Sequence, residues 1–353
     1  MSLSRGMQVD FLIVGQGLAG TLLARSLRQR GQKVLVVDNG WKSSASQVAA
    51  GLMTPLTGQR FTLTPEYPEL FKVAKLELGE LNVFRPIKVY RMFVDAEQRA
   101  RGLKRAECAT CVPFIEKITE SPGQVSADWS DAHGGALMHG AWVDLPKLLQ
   151  DAHAELLASK SIRAAEFNFD ELVLTESGVT WHDVTARGVV FCDGYRSAQK
   201  GPFSYLPWQP AKGEAISFNS NAPDSSIVLN RQGWALPLGQ GRWRAGTNWE
   251  WEGLNEVPTQ VQSEKFQKRF KDYFTGEVSV EVTDHVAGVR PCTSDNHPFI
   301  GTHPEHPALH LFNGMGPRGT IWAPTLAQEM ADHLVDGKPV RASCDLRRFP
   351  VAG

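Results

Sequence analysis

Three glycines and one carboxylate near the start of the chain have the spacing of a phosphate-binding turn. Gly15, Gly17 and Gly20 follow the apolar run at 9–14 and open a segment where Leu18, Leu22, Leu23 and Leu27 recur at helical intervals. A strand that turns through glycine into a helix presents free N–H groups and the positive end of the helix dipole to the turn. Each glycine has a steric task. Gly15 permits the tight turn, Gly17 lets backbone approach a pyrophosphate, and Gly20, with Ala24, lets the helix pack close to the sheet. Asp38 lies 18 residues beyond Gly20, where a carboxylate accepts from ribose hydroxyls. It also repels a 2′-phosphate, which disfavours NADP and leaves NAD and FAD. Gln16, Leu18, Ala19 and Asn39 complete the candidate cradle. Gly239-Gln240-Gly241 sits in strand-like sequence and opens no helix, so one dinucleotide per chain is expected.

Two buried strands, 9–14 and 33–37, joined by one helix that Gly31 stops, make a βαβ unit with parallel strands. Further along, 144–159 reads as a helix with Asp144 at its N-cap and Pro146 in its first turn. Two short strands are expected within 179–192. Residues 200–251, rich in Gly, Pro and Trp with short alternating runs, predict an antiparallel sheet. Helices are expected over 257–273 and 320–335, and strands over 278–289 and 309–312. No internal repeat or low-complexity tract is present. The fold class that follows is α/β, with a Rossmann-type nucleotide-binding domain built from discontinuous segments and an inserted α+β domain based on an antiparallel sheet.

The 353 residues suggest about two domains, and 42% hydrophobic with 21% charged residues is ordinary for a globular protein. Thirty-seven Lys and Arg against 38 Asp and Glu leave a net charge of -1, which provides no general field for nucleic acid. No apolar run reaches membrane-spanning length. Five scattered cysteines and no visible secretory signal predict a reducing, cytoplasmic setting. Met1-Ser2-Leu3 reads as a possible cloning remnant. Composition says nothing of oligomeric state.

A second informative cluster lies near the C-terminus: Gly288-Val289-Arg290-Pro291, then Asp295-Asn296-His297-Pro298, then Gly314-Met315-Gly316-Pro317-Arg318-Gly319-Thr320 opening a helix. With the N-terminal turn, this resembles the FAD-dependent amino acid oxidase family, which includes glycine/sarcosine and D-amino acid oxidases. Residues 43–55, 140–144, 189–197, 234–237 and 245–247 resemble further family segments in the same order.

The resemblance implies an FAD domain over 1–82, 137–203 and 286–353, and a substrate domain over 83–136 and 204–285, with the flavin at their boundary. Ala45, Ser46, Ala50, Gly51 and Leu52 would line the pyrophosphate and ring. Leu172 would lie near the adenine, and Asp193 and Gly194 would pass under the cofactor. Gly314–Thr320 would offer a helix start to the flavin pyrimidine edge, where free N–H groups stabilise the negative charge of reduced flavin. By position, Arg290 matches the family arginine that pairs with a substrate carboxylate, a role suited to a fork of donors. Glycine oxidases carry a second arginine where this chain has Pro317, and Arg318 is shifted by one. That pattern is closer to the branch containing the tRNA-wobble-uridine modifying oxidase. Trp234 replaces the usual carboxylate-side tyrosine.

The implied activity is oxidation of the C–N bond of an amino acid or carboxylate-bearing secondary amine, with electrons passing to oxygen or another acceptor. Two alternatives accompany it: oxidation of a carboxymethylamino-modified nucleoside, for which Arg99, Arg101, Lys104 and Arg105 would supply a basic face, and a non-catalytic electron-relay subunit.

Other residues carry bland readings. Cys108-Ala109-Thr110-Cys111 is a half-site for a metal, outside any thioredoxin context, and no metal is expected. His297, His303 and His306 read as solvated loop residues, and His285, next to the Arg290 strand, carries a pocket-facing reading beside the bland one. Trp208, Trp234, Trp243, Trp249 and Trp251 read as a packed β face or an aromatic pocket wall.

Overall fold

The computed structural model describes residues 6–40 and 44–351. The reading of Met1-Ser2-Leu3 and the Ser43 end of the 43–55 segment lie outside them. The chain divides into two compact units: Met1–Gln47, Leu145–Ala211 and Val289–Gly353 form the first, and Val48–Asp144 and Lys212–Gly288 the second.

The first unit is built on a six-stranded sheet. Its strand order is Ile162–Ala164, Val34–Asp38, Phe11–Val14, Gly188–Phe191, Leu309–Asn313 and Phe299–Thr302, all parallel except the last. The strands Phe11–Val14 and Gly188–Phe191 are buried at every residue. They therefore read as continuous apolar runs, as sheets covered on both faces require. The helix Leu18–Gln29 follows the glycine turn, ends at Arg30 and is stopped by Gly31 at φ +74°. It packs against the C-terminal helix Gly319–Asp336, and Arg30 Nε donates to Asp332 at 2.8 Å. A smaller sheet orders Met7–Gln8, Val184–Ala186, Gly178–Trp181 and Leu172–Thr175. Residues 179–192 thus hold three strands, not two, because Gly188 starts a strand of the main sheet after the hairpin closes.

The second unit carries a sheet whose order is Glu281–Arg290, Ala211–Asn219, Arg242–Gly246, Trp234–Gly239, Ile227–Asn230, Phe84–Met92, Gly135–Val143 and Leu52–Met53, with Ile115–Thr119 paired to Gly135–Val143. The predicted antiparallel run at 200–251 is its centre, and Ile227–Asn230 joins Phe84–Met92 in parallel. One sheet face buries Ile216, Phe218, Leu229 and Trp243 under Phe266 and Phe270 of the helix Gln260–Lys271. The opposite face buries Val89, Met138, Val228 and Leu236.

The units have three and two segments, but their boundaries differ from the expected ones. Residues 48–82 and 137–144 sit in the second unit. Leu52–Met53 is a strand of its sheet and the helix Tyr67–Glu80 packs on Phe84–Met92. Residues 204–211 sit in the first, where Trp208 meets Phe299 edge-on at 5.0 Å.

Candidate functional site

The glycine turn is fixed by backbone. Gly15 stands at φ +100°, and a Cβ there would lie 2.6 Å from the Cys192 carbonyl oxygen. A Cβ on Gly20 would lie 1.9 Å from the Gly15 carbonyl oxygen. Helix and strand approach so closely that only hydrogen fits. Gly17 is the helix N-cap without a side-chain cap, and the first turn holds no acidic residue. Its positive end is left for an anion. Ser46 comes to the same place, its hydroxyl accepting from the Leu18 N–H at 3.0 Å.

Asp38 organises this turn from the next strand. One carboxylate oxygen accepts from the Gln16 N–H at 2.7 Å and the other from the Gly40 N–H at 2.8 Å. Gln16 is fully buried, and its side chain reaches the Leu149 carbonyl and His153 Nδ1. Ala164 pairs with Asp38 in parallel register, and the Ala165 N–H donates to the Asp38 carbonyl at 3.1 Å. The segment beside Asp38 is therefore 164–165. Leu172 begins the strand Leu172–Thr175 opposite Trp181 in the smaller sheet.

Asp193 and Gly194 follow the strand Gly188–Phe191. Gly194 takes φ +65°. Ser197 Oγ donates to the Asp193 carboxylate. Asn313 Nδ2 donates to the same carboxylate at 3.2 Å and to the Gly194 carbonyl at 2.8 Å. Burial pushes the Asp193 carboxyl up to about 6, with Ser197 pulling the other way. Asn313 ends the last parallel strand and ties it to this turn. Nothing in the sequence separates it from an ordinary strand-end asparagine.

Gly314 and Gly316 take φ +77° and +53°. A short 3-10 turn, Gly316–Arg318, then feeds the helix Gly319–Asp336, whose first turn again has no acidic residue and no side-chain cap. The Gly316 N–H donates to the Pro291 carbonyl at 3.2 Å. Arg318 Nη2 donates to the Asn296 carbonyl at 2.9 Å. Burial holds the Arg290 and Arg318 guanidiniums below their ordinary range. Both cations act on the thiol of Cys292, which burial nevertheless pushes up to about 11. Cys292, two residues after Arg290, lies against the same turn: a Cβ on Gly316, two residues before Arg318, would be 3.6 Å from its sulfur. Two part-buried cations beside a helix start make an environment for an anion.

In the second unit, carbonyl groups of the 48–51 loop are captured from the sheet. Arg244 Nη2 donates to the Val48 carbonyl at 2.9 Å and Trp142 Nε1 to that of Ala50 at 3.0 Å. The Gly51 carbonyl accepts from Val143 at 2.8 Å. Gly51 stands at φ +73°, and a Cβ there would lie 2.1 Å from the Val143 carbonyl oxygen. Arg244 and Trp142 position the expected Ala50-Gly51-Leu52 segment. Both were missed because their partners lie far away in sequence.

Trp234 lies over Gly246, where a Cβ would come within 2.9 Å of the indole. The five tryptophans do not form one wall. Trp208 packs in the first unit, Trp243 is core, and Trp249 and Trp251 are exposed and stack at 6.3 Å. His285 faces a buried network, its Nε2 2.9 Å from Glu214, which also meets Lys212 at 3.5 Å and accepts from the Thr259 N–H at 2.8 Å. Arg99, Arg101 and Arg105 donate to the carbonyls of Glu120, Gln59 and Phe61, so this basic helix is braced onto its own unit.

A profile described as FAD dependent oxidoreductase (DAO) matches residues 10–333. The chain belongs to this family. It is an FAD-dependent oxidoreductase. The glycine oxidase of Pseudomonas putida is 26% identical, over 95% of this chain and 96% of the relative. The tRNA 5-methylaminomethyl-2-thiouridine biosynthesis bifunctional protein MnmC of Aeromonas hydrophila is 23% identical over 97% of this chain, which spans only 58% of that relative. Among solved structures, glycine oxidase from Geobacillus kaustophilus superposes with a TM-score of 0.80 at 20% identity, covering 98% of this chain and 99% of that one. Iminodiacetate oxidase from Chelativorans gives 0.77 at 20%, covering 96% and 98%. The cradle fits FAD on its own geometry. Its two helix starts carry no acid, Gly15 and Gly20 stand where a Cβ would strike backbone, and Asp38 presents a carboxylate at the second strand. No described helix is long and apolar enough to cross a membrane.

Proposed function

We propose that this enzyme oxidises the C–N bond of an amino acid, or of a secondary amine carrying a carboxylate. The observation that carries this reading is that the Arg290–Cys292 segment packs against the Gly314–Thr320 helix start that bears Arg318, with the Gly316 N–H donating to the Pro291 carbonyl at 3.2 Å. Bound FAD supplies the hydride acceptor. Arg290 grips the substrate carboxylate as a fork, which fixes the angle of the Cα–H bond. Arg318, held by the Asn296 carbonyl, adds positive potential from one side. With its thiol neutral, Cys292 itself does not compete with a ligand carboxylate. A substrate amine bound in its free-base form needs no side chain to take its proton. Gly15, Gln16, Gly17, Leu18, Ala19, Gly20, Asp38, Asn39, Ala45 and Ser46 would hold the ADP half, and Asp193, Gly194 and Met315–Thr320 the remainder.

The names of the relatives support the substrate class, since glycine and iminodiacetate both join an amine to a carboxylate. The match to MnmC over nearly the whole chain favours one second reading, a nucleoside bearing a carboxymethylamino group. The test is anaerobic mixing of the yellow protein with glycine, sarcosine, iminodiacetate, D-alanine and matching amines without a carboxylate. Bleaching by the carboxylate-bearing members alone is the expected result. Bleaching by amines irrespective of a carboxylate overturns the role given to Arg290. Readmitting oxygen or an artificial acceptor then distinguishes oxidase from dehydrogenase.

A further inference from the structure

The function proposed above leaves Cys108 and Cys111 unused. They lie in the second unit at the corner after the helix Ala96–Ala106. The Cys111 N–H donates to the Cys108 carbonyl at 2.8 Å and the Val112 N–H donates to it at 3.0 Å. The four residues therefore form a closed turn. Such turns bring their first and fourth Cα atoms within about 7 Å, and a disulfide spans about 4.4–6.8 Å. The two thiols are in unlike surroundings. Cys108 is partly exposed, whereas Cys111 is 1% exposed and packs with Phe61, Val89 and Phe93.

We propose that Cys108 and Cys111 form a dithiol–disulfide couple, with Cys108 the attacking thiol, Cys111 the resolving one and hydrogen peroxide the oxidant. The Cys108 thiolate attacks one peroxide oxygen. The O–O bond breaks, the other oxygen leaves as hydroxide and takes up a proton, and Cys108 becomes a sulfenic acid. Cys111 sulfur then attacks Cys108 sulfur. The S–O bond breaks and the second oxygen leaves as water, carrying the Cys111 proton. The two thiols lose two electrons and the peroxide gains them.

The local chemistry sorts the two roles. The Thr110 hydroxyl lies 3.2 Å from Cys108 Sγ and, with the Cys111 thiol, stabilises the Cys108 thiolate, so Cys108 falls to about 7. Burial raises Cys111. Cys192, Cys292 and Cys344 are buried, and burial raises all three. One of five cysteines is thus poised. At pH 7 a thiol titrating near 7 has about fifteenfold more thiolate than an ordinary one near 8.5. Its lower intrinsic nucleophilicity returns about fivefold, which leaves a net gain of about threefold. This inference is independent of the substrate reading, because its readout is on sulfur.

The experiment treats the full-length FAD-loaded protein with hydrogen peroxide and reads intact and peptide mass. The expected result is a loss of two hydrogens on the peptide carrying residues 108 and 111, reversed by dithiothreitol. Alkylation of Cys108 should run about threefold faster at pH 7 than that of an ordinary thiol. Cys111→Ser should stop at a sulfenic acid at Cys108, trapped by dimedone, and Cys108→Ser should show neither product. Stoichiometric zinc that protects both thiols from alkylation would overturn the couple in favour of a metal half-site. So would peroxide oxidation of Cys108 without disulfide formation in the unsubstituted protein.

Discussion

Asp193→Asn isolates what a buried carboxylate costs beside the nucleotide cradle. Ser197 and Asn313 both donate to Asp193, and asparagine retains an acceptor oxygen for them. The substitution therefore keeps the shape and removes only the charge. Burial raises the Asp193 carboxyl from 3.8 to about 6. Two units correspond to about 3 kcal/mol, an upper figure because the residue keeps some exposed surface. A folded-state pKa above the unfolded one means that the protonated acid is fully accommodated below about pH 4. That stability is withdrawn as pH climbs through 6. The aspartate protein should thus lose up to about 3 kcal/mol between pH 4 and 7.5 relative to the asparagine variant. For a domain of this size the melting midpoint moves about 2–4 °C per kcal/mol. The variant should melt about 6–12 °C higher at pH 7.5 but only about 2–4 °C higher at pH 4.5, where about 1 kcal/mol of the penalty applies. The assay is thermal unfolding across that pH range at matched saturating FAD. A gap that stays constant with pH, or that opens toward acid, would refute the argument.

Gly20→Ala puts a Cβ 1.9 Å from backbone oxygen, so the helix must withdraw from the strand. The protein should be purified nearly colourless, with FAD affinity of the apoprotein down at least about a hundredfold. Arg290→Met should retain FAD while kcat/KM toward carboxylate-bearing amines falls at least about a hundredfold, since each charge-assisted hydrogen bond contributes about 1.5–3 kcal/mol. Retained kcat/KM in stopped-flow flavin reduction would remove Arg290 from the site. Glu214→Ala leaves Lys212, whose side chain is 3% exposed, without its carboxylate. It should cost about 3–5 kcal/mol in denaturant unfolding, and Glu214→Gln, which can still accept from Thr259, should cost less.

The parts of the site that could be read from sequence are those whose physics is local. Gly20 is forced by the Gly15 carbonyl of the turn just before its helix, and Gly15 and Gly17 share that turn, so the motif appears as spacing within six residues even though Gly15 also abuts Cys192. Asp38 ends the next strand of the same βαβ unit, and the last helix announces itself through Gly314 and Gly316. What stayed hidden depends on strands that are neighbours only in the folded sheet. Asn313 reaches Asp193 across 120 residues, and Arg244 reaches Val48 across 196. Neither leaves a periodic trace. The sheet that Leu172 joins was hidden for a related reason. The run of β-formers there is real, but whether a strand joins the large sheet or the small one is decided by pairing, and Ala164 already holds the place beside Asp38. The compact-unit boundary at 47–48, in place of the 82 expected for the domain, was hidden the same way, since two residues of strand, Leu52–Met53, are enough to bind that segment to Gly135–Val143.

The cysteine pair shows how burial can divide one motif between two roles. Four residues of sequence cannot say which thiol is wet. The turn makes Cys108 partly exposed and seats Cys111 against Phe61 and Phe93. Identical side chains three positions apart thereby acquire opposite shifts, as an attacking and a resolving thiol require. The same logic operates at Arg290 and Arg318. Both stand out in sequence by their Gly- and Pro-rich settings, and burial beside the neutral Cys292 makes them a candidate site for an anion. Chemistry in this chain follows from which like residues the fold desolvates.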